Sequence, residues 1–199
     1  MNSKKILPFF SYLFHPIFIS VYTTLIYFYL NGSYYENPEK YFVLFQIVII
    51  TVLLPILFFV LMRAAGKVDS IMVSEIEQRK IPLIIQCFLI VLLVRKSVTL
   101  ELYPELHFFF LGGLLSTFLA YILLFFKTKA SLHMITISAL TLFIIGLSIH
   151  NQTKNLNLIA FLVLMNGIIA SSRLEMKAHT NKELVIGFLL GIIPQLLFL

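Results

Sequence analysis

The run FQIVIITVLLPILFFVLM, residues 45–62, is eighteen residues long and holds no charged side chain. A stretch of that length and character crosses the hydrocarbon of a bilayer, about 30 Å thick, as a single helix. Similar runs recur along the chain, and no other feature restricts the fold as strongly. Only 12% of the 199 residues are charged and 60% are hydrophobic, which leaves too little charge to cover a soluble domain of this size. The runs are continuous and do not alternate at period two, which excludes a transmembrane β-barrel. The sequence predicts an all-α, polytopic transmembrane helical bundle.

Seven apolar segments can be delimited, at about 8–30, 42–62, 82–100, 107–126, 132–150, 156–172 and 183–199. The third is the weakest, because its clean apolar part stops at Val94 before Arg95 and Lys96. The expectation is therefore six to seven spans. No repeat and no linker divides the chain, so residues 1–199 read as a single integral membrane domain. Lys4 and Lys5 ahead of an apolar run resemble a signal peptide, but the run continues to about Leu30 without a small-residue cleavage site. That pattern predicts a retained first span. Cys87 is the only cysteine, so neither an internal disulfide nor a multi-cysteine metal site is expected. A pI near 9.4 in such a chain points to loop topology and anionic headgroups, with no nucleic-acid partner.

Sorting the loops by side concentrates the charge. The N-terminus and loops 63–81, 127–131 and 173–182 share one face and carry Lys4, Lys5, Arg63, Lys67, Arg79, Lys80, Lys127, Lys129, Arg173, Lys177 and Lys182. The opposite loops carry only Lys40, Arg95, Lys96 and Lys154. The positive-inside rule makes the basic face cytoplasmic. Two spans separate each pair of basic-face loops, so all of them return to one side of the membrane. Basic side chains, hydroxyls and helix N-terminal amides together form anion sites, above all for phosphate. Ser131 and His133 stand where the fifth span begins. His179 and Glu183 are four residues apart, close enough for contact on a helical turn. Two histidines beside an anion site suggest a nucleophile and a general acid.

Plainer roles exist for most of these residues. Arg and Lys at span ends anchor the interface, and Thr180 to Glu183 fits a capping box. His15-Pro16 reads as a kink with a polar tip rather than a catalytic group. His107 and His150, at the opposite ends of their spans, read as interfacial. Gly112, Gly113 and Ser116, like Gly187 and Gly191, look like close-packing helix faces.

Ser172-Arg173, five residues, His179, three residues, then Glu183 resembles SRxxxxxHxxxD, the third signature of the type 2 phosphatidic acid phosphatase superfamily. Ser131-Leu132-His133 resembles its second signature, SGH, and Arg79 to Pro82 is a loose counterpart of its first, KxxxxxxRP. The whole chain also looks like a divergent group of small bacterial membrane proteins within that superfamily. These appear here as Ser11-Tyr12 with Phe14-His15-Pro16, Glu77 to Pro82, Ser131 to Met134, and Arg173 to Thr180. The resemblance covers most of the chain, and its third signature is the specific part. It implies His179 as the nucleophile, His133 as the proton donor to the leaving oxygen, and Glu183 as the group that orients His179. Arg173, Ser131, Ser172 and Arg79 or Lys80 would hold phosphate. Leu132 replaces the glycine of SGH, and Glu183 replaces the aspartate. Ile71 or Met72 stands where the first-signature lysine belongs, so Lys67 or Lys80 would substitute for it. The family's catalytic face usually lies outside the cytoplasm, opposite to the loop-charge reading.

The expected activity is metal-independent hydrolysis of a lipid phosphomonoester or pyrophosphate through a phosphohistidine, with no cofactor. The expected partners are a phosphorylated lipid and the membrane lipids, in the bacterial inner membrane. The lack of an Asp-rich DxxxD-type pair argues against a Mg²⁺-dependent prenyltransferase. The alternative expectation is a non-catalytic lipid- or anion-binding membrane protein.

Overall fold

The computed structural model describes residues 3–31, 34–68 and 75–198, with side chains from Leu7 onward. Among the described residues all regular structure is helical. Helices α1 (Ser3–Leu13) and α2 (Pro16–Leu30) meet at a 65° bend. Pro16 causes it: proline opens α2 and forces the preceding residue out of the helical region, so His15 is extended at φ −64°, ψ 139°. The expected kink is there. Helices α3 (Asn37–Val48) and α4 (Leu54–Ala64) form one rod joined by a π-helical turn, Ile49–Leu53. Pro55 has no N–H for the Thr51 carbonyl, and just ahead of it the Leu54 N–H reaches back five residues to Ile49.

Helix α5 (Ile76–Lys96) starts earlier and ends sooner than the predicted 82–100 segment. Pro82 lies inside it. One lost hydrogen bond near the start of a 21-residue helix is offset by packing along α6 (Pro104–Phe125). Arg79 and Lys80 therefore project from helical turns rather than from a loop. Three further helices follow: α7 (Leu132–His150), α8 (Leu156–Glu175) and α9 (Asn181–Leu196). Ile71 and Met72, where the resemblance seeks a lysine, lie outside the described residues.

Among the described residues, four helices are long and apolar enough to cross a membrane: Asn37–Ala64, Pro104–Phe125, Leu132–His150 and Leu156–Glu175. They become five if the bent pair counts as one span, fewer than the expected six to seven. Each of the seven apolar segments contains a helix among its described residues, but α5 has charged residues near both ends and α9 has only sixteen residues.

Helix α7 is the axis of the bundle, packed by α9, α8, α2 and α6. Its Ile137, Leu140, Ile144 and Leu147 join Leu93, Leu106, Leu162, Met165 and Ile169 in the main core. Helix α9 presses close to α7 through small residues. A Cβ on Gly187 would stand 2.6 Å from the Ser131 carbonyl oxygen, and one on Gly191 would collide with Ser138 Oγ and the Ile135 carbonyl. Gly112 of α6 receives the Gln195 side chain, whose Nε2 donates to the Phe109 carbonyl at 2.9 Å. At the far end of the bundle, Tyr35 donates to Tyr27 (2.6 Å), and Tyr27 donates to Glu105 Oε2 (2.9 Å). Many large apolar side chains, among them Phe45, Phe88, Phe118 and Leu164, point outward, a surface suited to hydrocarbon.

Three helices end alike. Lys127, Gln152 and Lys177 take positive φ just past α6, α7 and α8. In each case the residue after donates to the carbonyl five positions back: Thr128 to Leu123, Thr153 to Ser148, and Ala178 to Arg173. These are Schellman turns built on non-glycine residues. The last of them aims the chain that carries His179.

Candidate functional site

One end of the bundle gathers the α1–α2 break, the starts of α5, α7 and α9, and the end of α8. His179 lies between the Schellman turn and the N-cap of α9. Thr180 Oγ1 accepts the Glu183 N–H at 3.3 Å, and Glu183 Oε2 accepts the Thr180 N–H at 3.1 Å, so the capping box forms. The same Oε2 accepts the proton of His179 Nδ1 at 2.9 Å. A carboxylate accepts only, so Nδ1 carries the proton and Nε2 keeps its lone pair. Capping and orienting the histidine are thus one arrangement. Lys129 Nζ approaches the other oxygen, Oε1, at 3.9 Å.

His179 is 8% exposed. Burial lowers its pKa to about 4, and the positive charges of Arg79 and Arg173 add to the shift against the raising effect of Glu183. Its imidazole is neutral at pH 7, in the form a nucleophile requires.

His133 stands in the first turn of α7 and is 8% exposed. Its Nε2 donates to the Ser11 carbonyl at 3.1 Å, leaving Nδ1 as its open nitrogen. Ser131 is the N-cap of α7, but its side chain caps nothing. Among the described residues its buried hydroxyl has no hydrogen-bond partner, and its backbone N–H donates to the Glu183 carbonyl at 3.2 Å. Arg173 is 7% exposed; among the described residues its Nε has no partner, and Nη1 donates to Met176 Sδ at 3.5 Å. A buried guanidinium without a carboxylate is costly. The Arg173 charge reaches His133 in the first turn of the 19-residue α7, whose N-cap is the unpartnered Ser131 hydroxyl; these are the ingredients of an anion site.

Of the residues singled out from sequence, Arg79, Arg173 and Glu183 act electrostatically on His179, and Arg173 and His179 on His133. Ser131 is tied to Glu183 through its backbone. The Ser172 hydroxyl is buried and bonded to Ser11 Oγ at 2.6 Å. Lys80 is directed elsewhere: its Nζ pairs with Glu77 at 2.6 Å and lies 5.3 Å from the centre of the Phe125 ring. Sequence reasoning missed Ser11 as a support for His133, and it set His15 aside. The His15 ring stands edge-on to His133, with centroids 5.2 Å apart. The Ser11 to Pro16 stretch was the available signal.

No protein family, no curated protein and no solved structure matches this chain.

Proposed function

We propose that this chain is a membrane-embedded lipid phosphate phosphatase, with chemistry like that of the type 2 phosphatidic acid phosphatase superfamily. The observation that carries the reading is the pair of buried, unpartnered polar groups, Arg173 Nε and Ser131 Oγ, beside a neutral His179 with a free Nε2. A phosphoryl group supplies the acceptor and charge that these groups lack. His179 Nε2 attacks phosphorus, and the bond from phosphorus to the leaving oxygen breaks. His133, which must enter this step as the imidazolium because its Nε2–H is given to the Ser11 carbonyl, protonates that oxygen from Nδ1 and becomes neutral. Water then gives its proton to His133 and attacks the phosphohistidine. The P–N bond breaks, and phosphate and neutral His179 are released. Glu183 holds the His179 ring and offsets the positive charge that develops on it. Substrates of the right kind are phosphatidic acid, phosphatidylglycerophosphate and polyprenyl diphosphates, with the tail among the helices in a bacterial inner membrane. The distribution of basic residues favours a cytoplasmic site, which cysteine labelling in the 173–182 loop checks.

One observation favours the non-catalytic alternative: His133 Nε2 is engaged by the Ser11 carbonyl, which leaves only Nδ1 for proton transfer. The test is phosphate release from phosphatidic acid, undecaprenyl diphosphate and a wider phospholipid panel in metal-free buffer. Wild type should hydrolyse at least one and His179→Ala none. Wild-type protein that binds vanadate but turns over no lipid would leave the binding protein as the correct reading.

A further inference from the structure

The break between α1 and α2 carries a third imidazole to the basic end, one that the mechanism above does not use. His15 is fixed by its own backbone: it is the N-cap of α2, and the Ile17 N–H donates to its Nδ1 at 3.3 Å. A ring nitrogen that accepts holds no proton, so the neutral ring carries its proton on Nε2. Among the described residues that N–H has no acceptor. Short side chains such as Asn, Asp and Ser are the ordinary N-caps, so the second nitrogen of His15 is surplus to capping.

Its surroundings give that nitrogen a use. The ring is half-buried and nearly perpendicular to His133, at 87°, and lies within electrostatic reach of the unpaired Arg173. Four residues earlier, Ser11 ties the same segment to the site twice, through its hydroxyl to Ser172 and through its carbonyl to His133. A fixed N–H donor beside an unpaired guanidinium has no protein group to accept from it, and a bound anion would complete both. We infer that His15 is a phosphate-binding residue whose Nε2–H donates to a non-bridging oxygen of the phosphoryl group held by Arg173 and Ser131. The inference rests on the basic end being a phosphate site. It makes the N-terminal helix break part of headgroup recognition.

Two variants separate the nitrogens. His15→Asn keeps an acceptor where Nδ1 caps α2 but removes the Nε2–H, whereas His15→Gln keeps an N–H near the Nε2 position and gives up the cap. The probe is orthovanadate, titrated into the full chain in detergent, with the thermal midpoint and the apparent Kd both recorded. His15→Asn should unfold at the wild-type midpoint without vanadate yet bind vanadate about tenfold more weakly, one hydrogen bond's worth. His15→Gln should unfold earlier but keep its affinity within about threefold. If His15→Asn binds vanadate as tightly as wild type, or if both variants weaken alike, His15 only caps a helix and the inference is overturned. Wild type that neither binds vanadate nor hydrolyses lipid removes the phosphate site itself, and this inference with it.

Discussion

Arg173 is the residue whose replacement separates function from stability. Its guanidinium is 7% exposed; among the described residues Nε has no partner, and Nη1 makes a weak hydrogen bond to Met176 Sδ. Leaving a charged donor buried and unsatisfied costs about 1–3 kcal/mol. Arg173→Met keeps an unbranched side chain in the same space and abolishes that cost. Without ligand the variant should therefore be more stable than wild type by about 1–3 kcal/mol, or roughly 2–10 °C for a chain of this size. An added anion closes or reverses that gap. Orthovanadate at 100 times its Kd should stabilise wild type by about 2.7 kcal/mol and leave Arg173→Met unmoved. The chain contains no tryptophan, but its one cysteine, Cys87, is half-buried in α5. A thiol-reactive dye on Cys87 therefore reports unfolding in detergent. If Arg173→Met is markedly less stable than wild type and vanadate shifts both proteins equally, Arg173 is a structural group and the anion-site reasoning fails.

Two further predictions concern helix contact and pH. Gly187→Ala puts a methyl 2.6 Å from the Ser131 carbonyl, so α7 and α9 must separate by about 0.8 Å to reach ordinary contact near 3.4 Å. Overpacking of about 1–3 kcal/mol, partly offset by the helix preference of alanine, should lower the thermal midpoint, and displacing Ser131 from His179 should cut turnover roughly a hundredfold. Gly113→Ala, inside α6 where a Cβ meets nothing within 4 Å, is the control and should leave turnover unchanged and stability equal or slightly raised; equal losses at the two sites refute the close-packing explanation. Because burial and neighbouring cations hold His179 near a pKa of about 4, the nucleophile stays neutral down to that pH. The acid limb of kcat/KM should accordingly fall near pH 4, and a limb at the ordinary histidine value near 6.5 would count against His179 as the buried nucleophile.

What the sequence made legible was whatever depends on local geometry or on parity. The separation of His179 from Glu183 and the Thr180 capping box follow from one helical turn, and both are present on a single carboxylate. Gly187 and Gly191 showed where α9 would press on its neighbour. Loop parity, counted on seven spans, expected Arg79, Ser131, His133 and Arg173 at one end; their charged groups do lie near one another, but four or five candidate spans do not give that count. The roles of Ser11 and His15 depend on partners more than a hundred residues away, and no local periodicity announces such contacts. The start of α5 was misplaced because proline ordinarily marks a helix boundary, whereas packing against α6 carries this helix through Pro82. Lys80 looked like an equal partner of Arg79, but adjacent residues on a helix point about 100° apart, and only Arg79 comes within reach of Arg173 and His179.

The hydrogen bonds from Ser11 bear on how the site comes into being. Ser11 and Ser172 are 161 residues apart, and Ser11 and His133 are 122 apart. During synthesis, at about 5–20 residues per second, the first helix leaves the ribosome many seconds before the strand of sequence that will hold it. Until α8 is inserted, α1 lacks its main packing partner, and an amphipathic helix in that condition rests at the lipid surface. The site therefore depends on a segment made early and held late: until α8 is inserted, Ser11 lacks Ser172, a partner that fixes the stretch carrying His15.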